Sequence, residues 1–391
     1  MTQAQDAWAE LLATLAEVGE RFAGEEWGLT DPTDVAEGLR VILHHLGTGI
    51  ETQLEQDAAH PTLRPIVTPW RKALGDNADA MYHDARIDPR GTYRLRGRTG
   101  GAAYVSITVE AGAEEGAFPT GTVGVLNDTA FDVAPDGSFE ITVGGPSPAG
   151  PERPGTDEGG AESGEATGPR GWLPLAPDAS RLTVRHYWEA EAPPATPPAP
   201  DLGLAIELVA GDVPAAPRPP SDASVAVAIR RMATYVRGRT LDVIAKPGEG
   251  DPPAFVSRIP HVFPPPTLPG THALAAADAH YSMAPYLLGP DDALVMTLAS
   301  WPTCRLASVS LWNRQMQTFD YLRGRVSLNR AQAVPEPDGS IRIVLAHRDP
   351  GVPNWITTEG RPFGLLFWRF FLAEGPIATP TAEVVPADSL A

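Results

Sequence analysis

The sequence has one cysteine, few basic residues and no long apolar run. Cys304 alone excludes an intrachain disulfide framework and a thiolate-rich zinc site. Thirty basic against 49 acidic side chains give a net charge of −19, and such a surface repels phosphates, which argues against nucleic acid as a partner. No apolar run approaches a membrane span and MTQAQDAWAELL is no signal peptide, so we expect no membrane insertion and a cytoplasmic protein.

Common catalytic signatures are also missing. There is no G-x-S-x-G elbow, H-E-x-x-H, P-loop or C-x-x-C, and no G-x-G-x-x-G follows a strand pattern. The close pairings of histidine with a carboxylate are short-range, namely His83-Asp84, His186 near Glu189, His347-x-Asp349 and Asp278-x-His280, and adjacent or i,i+2 pairs often arise by chance. We therefore expect no metal and no cofactor, while an enzyme with dispersed catalytic residues stays open.

The chain is long enough for two or three domains, because 391 residues are too many for one hydrophobic core. Its hydrophobic content of 42% is typical of a folded protein. Residues 1–88 are expected to be an N-terminal helical segment, because apolar residues recur at helical spacing from Trp8 to Phe22 and from Val35 to Ile50. Thr30-Asp31-Pro32 marks the start of the second helix. His44 and His45 in that helix are expected to be solvated or capping residues.

A polar stretch, GDNADAMYHDAR, occupies residues 75–86. Dense Asp and Asn usually form turns, because their side chains bond their own backbone. The functional alternative is that this stretch lines a pocket and supplies a carboxylate and a proton-transfer partner, through Asp76, Asn77, Asp79, Tyr82 and His83.

Strand patterns dominate two regions. Residues 89–200 form the first predicted β unit, interrupted at 145–171 by an acidic, Gly- and Pro-rich insert that we expect to be disordered. Residues 201–275 hold a strand pattern, a predicted helix over 222–237 and a Pro-rich connector. Residues 276–391 form the second β unit.

The two β units repeat one another. Asp136-Gly137-Ser138 corresponds to Asp338-Gly339-Ser340, and the preceding Asn127 and Asn329 each lie nine residues before that Asp. The sequence therefore predicts a mainly β (α+β) fold: two related antiparallel β-sandwich-like units from an internal duplication, with N-terminal and central helices packed on them.

One arginine recurs in the last long strand of each unit. Alternation places Arg185 on one face of LTVRHYW with Tyr187, and Arg369 on a face of LLFWRFF shared with Phe367 and Phe371. A buried guanidinium must be paired. The structural alternative is a salt bridge to a carboxylate of a neighbouring turn, and the functional one is an oxyanion or carbonyl contact with a ligand.

Several of these segments resemble bacterial proteins with the domains of unknown function 1254 and 1214. The similarity is carried by GDNADAMYHDARID, by DGSFEITV with GWLPLAPDASRLTVRHYW, and by RVSLN, DGSIRIVLAHRDPGVPNWITTEG and LLFWRFF. It implies a mostly β, two-unit architecture and no settled reaction. Some members look like alkylsulfatase relatives, but the histidine-rich metal motif of that activity is missing from this sequence.

The second unit departs from the first around residues 312–321 and 347–349, where one copy of a duplicated scaffold could specialise. We expect a pocket in or beside the second unit, or between the units. Its predicted catalytic residues are Asp76, Asp79, Tyr82, His347 and Arg369, and its predicted substrate-binding residues are Arg185, Trp312, Asn313, Tyr321, Trp355 and Trp368.

Two hypotheses for function follow from these patterns. The first is an enzyme acting on a hydrophobic small molecule by general acid–base chemistry, as a lyase, isomerase or hydrolase of secondary metabolism or catabolism. The second is a non-catalytic small-molecule-binding or assembly protein, with homo-oligomerisation as an open expectation.

Overall fold

A computed structural model describes residues 1–147, 170–246, 248–270, 272 and 274–390. Most of the predicted disordered insert, residues 148–169, lies outside the described residues. The helices are α1 (Gln3–Arg21), α2 (Pro32–Gly49) and α3 (Asp222–Gly238), with a π-helical turn Ile50–Leu54 and 3₁₀ turns Glu25–Trp27 and Ala387–Leu390. The strands are β1 (Arg64–Pro65), β2 (Ala80–Arg86), β3 (Thr92–Arg98), β4 (Tyr104–Ala111), β5 (Gly121–Asn127), β6 (Ser138–Gly144), β7 (Trp172–Leu173), β8 (Ala179–Tyr187), β9 (Ala205–Ala210), β10 (Ala279–Leu287), β11 (Asp292–Leu298), β12 (Leu306–Trp312), β13 (Ser327–Asn329), β14 (Ile341–Ala346), β15 (Trp355–Thr357), β16 (Phe363–Phe371) and β17 (Thr381–Pro386).

These strands form four sheets. The first unit has a sheet of order β1-β2-β8-β4-β5 and a second of order β7-β6-β3-β9, and the second unit has β10-β16-β12-β13 and β15-β14-β11-β17. Without the short edge strand β1, the two units have the same strand order in both sheets. The predicted mainly β fold with an internal duplication is confirmed.

Each unit is a sandwich because its strands alternate. Leu182 and Val184 of β8 pack in the core of the first unit, and Leu366 and Trp368 of β16 pack in that of the second. The intervening residues of both strands point away from the sandwich core. We call the β2-containing sheet the first inner sheet and the β10-containing sheet the second inner sheet.

The repeated Asp-Gly-Ser turns are structural. The carboxylate of Asp136 accepts the backbone N–H of Ser138 at 3.0 Å, and that of Asp338 accepts Ser340 N–H at 2.9 Å. The intervening glycines have φ of 81° and 86°, which favours glycine. This geometry explains the repeated tripeptide without a role in binding.

The three helices form a bundle with α3 in contact with both α1 and α2. Asp31 caps α2 as predicted, with its carboxylate accepting the Thr33 N–H at 2.8 Å. The expectation of solvated histidines in this helix is wrong. His45 is fully buried near Arg239, which follows α3, and His44 is 8% exposed and contacts Gln317 of the second unit at 3.0 Å.

Two further predicted segments were only partly right. The polar stretch 75–86 forms turns up to Asp79 and then becomes β2. The Pro-rich connector runs beside the second unit, where Val256 and Thr267 form isolated bridges with Met283 and Tyr281 of β10. Among the described residues, none of the helices has the length and hydropathy of a membrane span.

Candidate functional site

Each inner sheet carries the same row of four polar side chains across four strands. In the first, the strand register aligns Tyr82, Arg185, Ser106 and Asn127. In the second, the register aligns Tyr281, Arg369, Ser308 and Asn329 in the equivalent order. Directly opposed residues point to the same face of a sheet, so each row is one polar strip on the outward face of its sandwich.

The two strips lie against each other between the units. Phe371 of the second inner sheet packs on Tyr187 and Tyr104 of the first, with ring centroids 4.4 and 5.0 Å apart. Asn329 donates to Asp79 at 3.0 Å, and Asn127 donates to Asp278 at 2.9 Å. Because the Asn of each unit bonds the Asp of the other unit, the interface is reciprocal and has approximate two-fold symmetry.

The repeated arginines also make reciprocal contacts across this interface. Arg185 donates to the Thr108 hydroxyl at 2.9 Å and to the Leu274 carbonyl oxygen at 3.1 Å. Arg369 donates to the Ser310 hydroxyl and to the Gly75 carbonyl oxygen, both at 3.0 Å. Each guanidinium therefore bonds a hydroxyl of its own sheet and a carbonyl of the segment that precedes the other unit's first long strand.

The arginines differ in their third partner. Arg185 lies 3.7 Å from a carboxylate oxygen of Glu110. The position equivalent to Glu110 is Trp312, and Arg369 lies over that indole, 5.0 Å from its centroid. Within the described residues Arg369 has no carboxylate within 4.0 Å. The salt-bridge alternative therefore describes Arg185 and fails for Arg369.

A second asymmetry separates the two aspartates. The carboxylate of Asp278 accepts hydrogen bonds from the Tyr104 hydroxyl and the Asn127 amide. The residue equivalent to Tyr104 is Leu306, which has no hydroxyl. Asp79 thus accepts one hydrogen bond where Asp278 accepts two, and its second oxygen, Oδ2, is buried with no hydrogen-bond partner in the part of the chain that the structure describes.

This environment changes the acidity of Asp79. Burial raises the pKa of its carboxyl to about 6, while the Asn329 hydrogen bond and the charge of Arg369 oppose that rise. Asp79 is only 1% exposed. A carboxyl with this pKa is present in both protonation states near neutral pH, as general acid–base chemistry requires.

Two phenols lie beside the arginines in the strand register, Tyr82 opposite Arg185 and Tyr281 opposite Arg369. Burial raises the pKa of both Tyr82 and Tyr281 above its usual range, and Arg369 and Arg185 lower it again in each case. Tyr281 and Phe367 are stacked with centroids 4.8 Å apart. The interface thus combines charged, hydroxyl and aromatic groups in a setting shielded from water.

Asp76 lies close by but is fully engaged. Its carboxylate accepts the backbone N–H of Thr318 at 2.8 Å and also the hydroxyl of that residue. Lys72, which donates to the Thr318 carbonyl oxygen at 2.6 Å, adds a nearby positive charge. Burial still raises the pKa of Asp76. Its hydrogen bonds to Thr318 fix the loop that follows β12, which is a structural role.

The predicted site residues fall into two groups. The interface between the inner sheets brings together Asp76, Asp79, Tyr82, Arg185, Arg369 and Trp312. Tyr321 borders this group, since its ring lies 4.5 Å from the Lys72 ammonium. The remaining four predicted residues lie elsewhere.

Those four have local roles. Asn313 accepts the backbone N–H groups of its own turn, at residues 315 and 317, both at 3.0 Å. His347 contacts the Gly289 carbonyl oxygen at 3.1 Å, and Trp355 donates to the Ala346 carbonyl oxygen at 3.2 Å. Trp368 is fully buried in the core of the second sandwich, on the face of β16 opposite Arg369.

An open groove on the first unit is a weaker candidate. It encloses about 640 Å³ and is lined in part by Arg96, Phe139, Glu140 and Gly203. Arg96 is paired with Glu140 at 2.7 Å and with Glu207 at 3.3 Å, so its charge is already balanced. None of the predicted site residues lines this groove, and across the described ranges no cluster of metal-ligating side chains occurs.

The sequence contained one signal that the prediction missed. Asp79-Ala80-Met81-Tyr82 and Asp278-Ala279-His280-Tyr281 are two copies of an Asp-Ala-x-Tyr motif. Ser106 and Ser308 occupy equivalent places in YVSIT and LASVS. Aligning these copies would have identified Tyr281 and both serines as neighbours of the repeated arginines in the strand register, and Asp278 as the counterpart of Asp79.

Comparison with known proteins gives a family match for one part of the chain. Residues 294–374 match the family described as "Protein of unknown function (DUF1214)". None of the curated proteins compared with the chain matches it.

Two solved structures are similar to this one. An uncharacterised protein from Burkholderia cenocepacia is 26% identical, with a TM-score of 0.79 over 98% of this chain and 97% of that chain. The VPA0106 protein from Vibrio parahaemolyticus is 12% identical, with a TM-score of 0.46 over 96% and 99% of the two chains. The first similarity shows that the whole two-unit fold occurs in another bacterial protein.

Proposed function

We propose that the protein is an enzyme that transfers a proton on a small molecule bound between the two inner sheets. The observation that carries this proposal is Asp79, a buried carboxyl with one unpartnered oxygen and a pKa raised to about 6. In this proposal Asp79 is the general acid–base. Arg369, which has no carboxylate partner among the described residues, stabilises the oxyanion that forms on the substrate.

The surroundings define the class of substrate. Tyr82, Tyr281 and Phe367 offer aromatic surface, and Trp312 packs on Phe367 with ring centroids 4.6 Å apart. Such a surface suits an apolar body, while an arginine suits a carbonyl or anionic oxygen. The substrate is therefore a hydrophobic small molecule with one such oxygen, and abstraction of a neighbouring proton is the chemistry of isomerases and lyases. In this proposal the substrate binds between the units.

A deuterium-exchange experiment tests the proposal. Small molecules are extracted from the purified protein, identified by mass spectrometry and incubated with fresh protein in D₂O. We expect the wild type to incorporate solvent deuterium into an apolar metabolite, and Asp79→Asn to slow this by about 100-fold or more. Asp278→Asn is the matched control, because its carboxylate has two hydrogen-bond donors, and it retains exchange. Equal exchange in Asp79→Asn, or no bound metabolite, overturns the proposal.

The second candidate function is assembly without catalysis. It is favoured by the reciprocal contacts of Asn127 and Asn329, which join the two units much as subunits join in a symmetric dimer. In that case the two polar rows of the inner sheets only hold the units together, and no metabolite exchanges deuterium. Sizing chromatography that showed a homo-oligomer with nothing bound would favour this candidate.

Three finer expectations belong to the same proposal. We propose that residues before the DUF1214 match resemble the DUF1254 family, that the protein works in the cytoplasm without a cofactor, and that its substrate belongs to secondary metabolism or catabolism. Fractionation of cells that produce the protein tests the location. Identification of the extracted metabolite tests the metabolic assignment.

A further inference from the structure

A second buried polar cluster lies at the other end of the first inner sheet, beneath the helices. Arg181 of β8 forms an ion pair with Asp84 of β2, and both are at least 94% buried at the side chain. The π-helical turn after α2 approaches this pair, because Arg181 also donates to the Thr52 carbonyl oxygen at 3.3 Å. None of the residues proposed for proton transfer takes part in this cluster.

His45 of α2 is the first unexplained member of this cluster. It is fully buried, and neither ring nitrogen has a hydrogen-bond partner in the residues that the structure describes. Burial and then the charge of Arg239 lower its pKa to about 3, so the imidazole is neutral. A neutral imidazole has one donor and one acceptor, and here both are unpaired.

Arg239, just after α3, is the second unexplained member. It is 7% exposed and lies over the Tyr235 ring, 3.5 Å from the centroid. Its hydrogen bond to the Gly116 carbonyl oxygen is long, at 3.5 Å. No carboxylate of the described ranges lies within 4.0 Å of it, so the cluster holds two guanidinium groups and only one carboxylate.

Helix α2 approaches Arg239 through the Tyr235 ring, and Arg239 is close enough for its charge to lower the pKa of His45. Gly49 lies one helical turn after His45, and a Cβ there would be 3.4 Å from Cδ1 of the Tyr235 ring that Arg239 covers. Gln53, in the π-helical turn, is 3% exposed and its carbonyl oxygen also has no partner among the described residues. π-helical turns occur frequently at functional sites, where they redirect side chains.

We propose that this cluster binds a small carboxylate. The excess positive charge of Arg239 selects an anion, and a carboxylate matches a guanidinium with two parallel hydrogen bonds. The donor nitrogen of His45 contributes another bond to the anion. This site is independent of the inner-sheet interface and of the proton-transfer reaction.

The test uses acetate and its uncharged analogue acetamide on the full chain at constant ionic strength. Histidine is labelled with ¹³C, and its ring signals and the unfolding midpoint are followed as each probe is added. We expect acetate to shift the His45 signal saturably and to raise the midpoint, and acetamide to do neither. Equal responses to the two probes, or no saturable response to acetate, overturn the proposal.

Variants locate the effect. Arg239→Met is expected to weaken acetate binding at least 10-fold, and Arg239→Lys, which keeps the charge but loses the two parallel hydrogen bonds, should weaken it less than Arg239→Met does. Arg96→Met removes an exposed arginine and is the matched control with unchanged binding. If Arg239→Met fails to fold, His45→Leu decides by the unfolding midpoint. Unchanged acetate affinity in whichever variant folds overturns the site.

Discussion

Asn329 donates a 3.0 Å hydrogen bond to Asp79, 250 residues away in the chain. The equivalent contact, from Asn127 to Asp278, spans 151 residues in the opposite direction between the units. Each unit therefore donates one of these hydrogen bonds to the other unit. Their difference lies in the Tyr104 hydroxyl, which supports Asp278 and has no counterpart beside Asp79.

The first prediction compares the two asparagines. Asn329→Ala removes the one hydrogen bond that the described residues make to the Asp79 carboxylate and also a 2.9 Å bond to the Ala190 carbonyl oxygen. We expect it to lower the free energy of unfolding by about 2–3 kcal/mol, and Asn127→Ala by about 1–2 kcal/mol, because Asp278 keeps Tyr104. Urea unfolding at pH 7 measures both, and a larger cost for Asn127→Ala would contradict the asymmetry.

The second prediction concerns the pH dependence of stability. The folded pKa of Asp79 is about 6, above the ordinary 3.8, so between these values the folded state binds more protons than the unfolded state. The stability that this carboxyl contributes is complete below about pH 4 and is lost as the pH rises through 6. Two pKa units correspond to about 3 kcal/mol.

Asp79→Asn isolates this contribution, because an amide does not titrate in the range. We expect the variant to gain stability relative to wild type, by up to about 3 kcal/mol, as the pH is raised from 4 to 7. Urea unfolding at each pH gives the difference. A ¹³C carboxyl signal that is lost in Asp79→Asn supplies the control, and its midpoint should lie near pH 6. A difference between variant and wild type that does not change with pH would show that the carboxyl titrates normally.

The sequence predicted the local features that depend on alternation and turn chemistry. Arg185 and Tyr187 do share a face, and both Asp-Gly-Ser turns start strands. Period-two alternation specifies which residues face out of a sandwich but not what covers them. For that reason the faces by which the two inner sheets contact each other could not be read from the sequence, and the pocket was expected in or beside the second unit, or between the units, with mostly second-unit aromatics as its lining.

The misplaced residues show the same limit. Trp368 is next to Arg369 in sequence, but adjacent residues of a strand point to opposite faces, so Trp368 lies in the core of the second sandwich. His45 was expected to be solvated or capped, yet it is fully buried near Arg239, which is far away in the chain. Only the internal repeat carried long-range information, and the second Asp-Ala-x-Tyr motif would have extended it.

The third prediction compares the two buried arginines. Arg185→Met leaves Glu110 buried without its cation, whereas Arg369→Met leaves only carbonyl and hydroxyl oxygens unpaired. We expect a loss of about 3–5 kcal/mol for Arg185→Met and about 1–3 kcal/mol for Arg369→Met. Guanidinium unfolding at pH 7 measures the difference. Adding Glu110→Gln to Arg185→Met should recover part of the loss, and no recovery would show that the ion pair is not its cause.

The last prediction follows from the unpaired nitrogens of His45. Replacing the imidazole by an apolar side chain of similar size removes a buried donor and acceptor that have no partner among the described residues. We therefore expect His45→Leu to raise the free energy of unfolding by about 1–2 kcal/mol in buffer without carboxylates. The gain should be smaller at pH 7 than at pH 5, because burial lowers the pKa of His45 to about 3. Below about pH 6.5 the wild type therefore loses stability as its unfolded chain takes up a proton, and the variant does not.

His44→Leu is the matched control, since it breaks a 3.0 Å contact with Gln317 and should destabilise the protein. A loss of stability in His45→Leu of the size seen for His44→Leu would mean that the imidazole of His45 has protein partners, and the case for a carboxylate beside Arg239 would then fail with it.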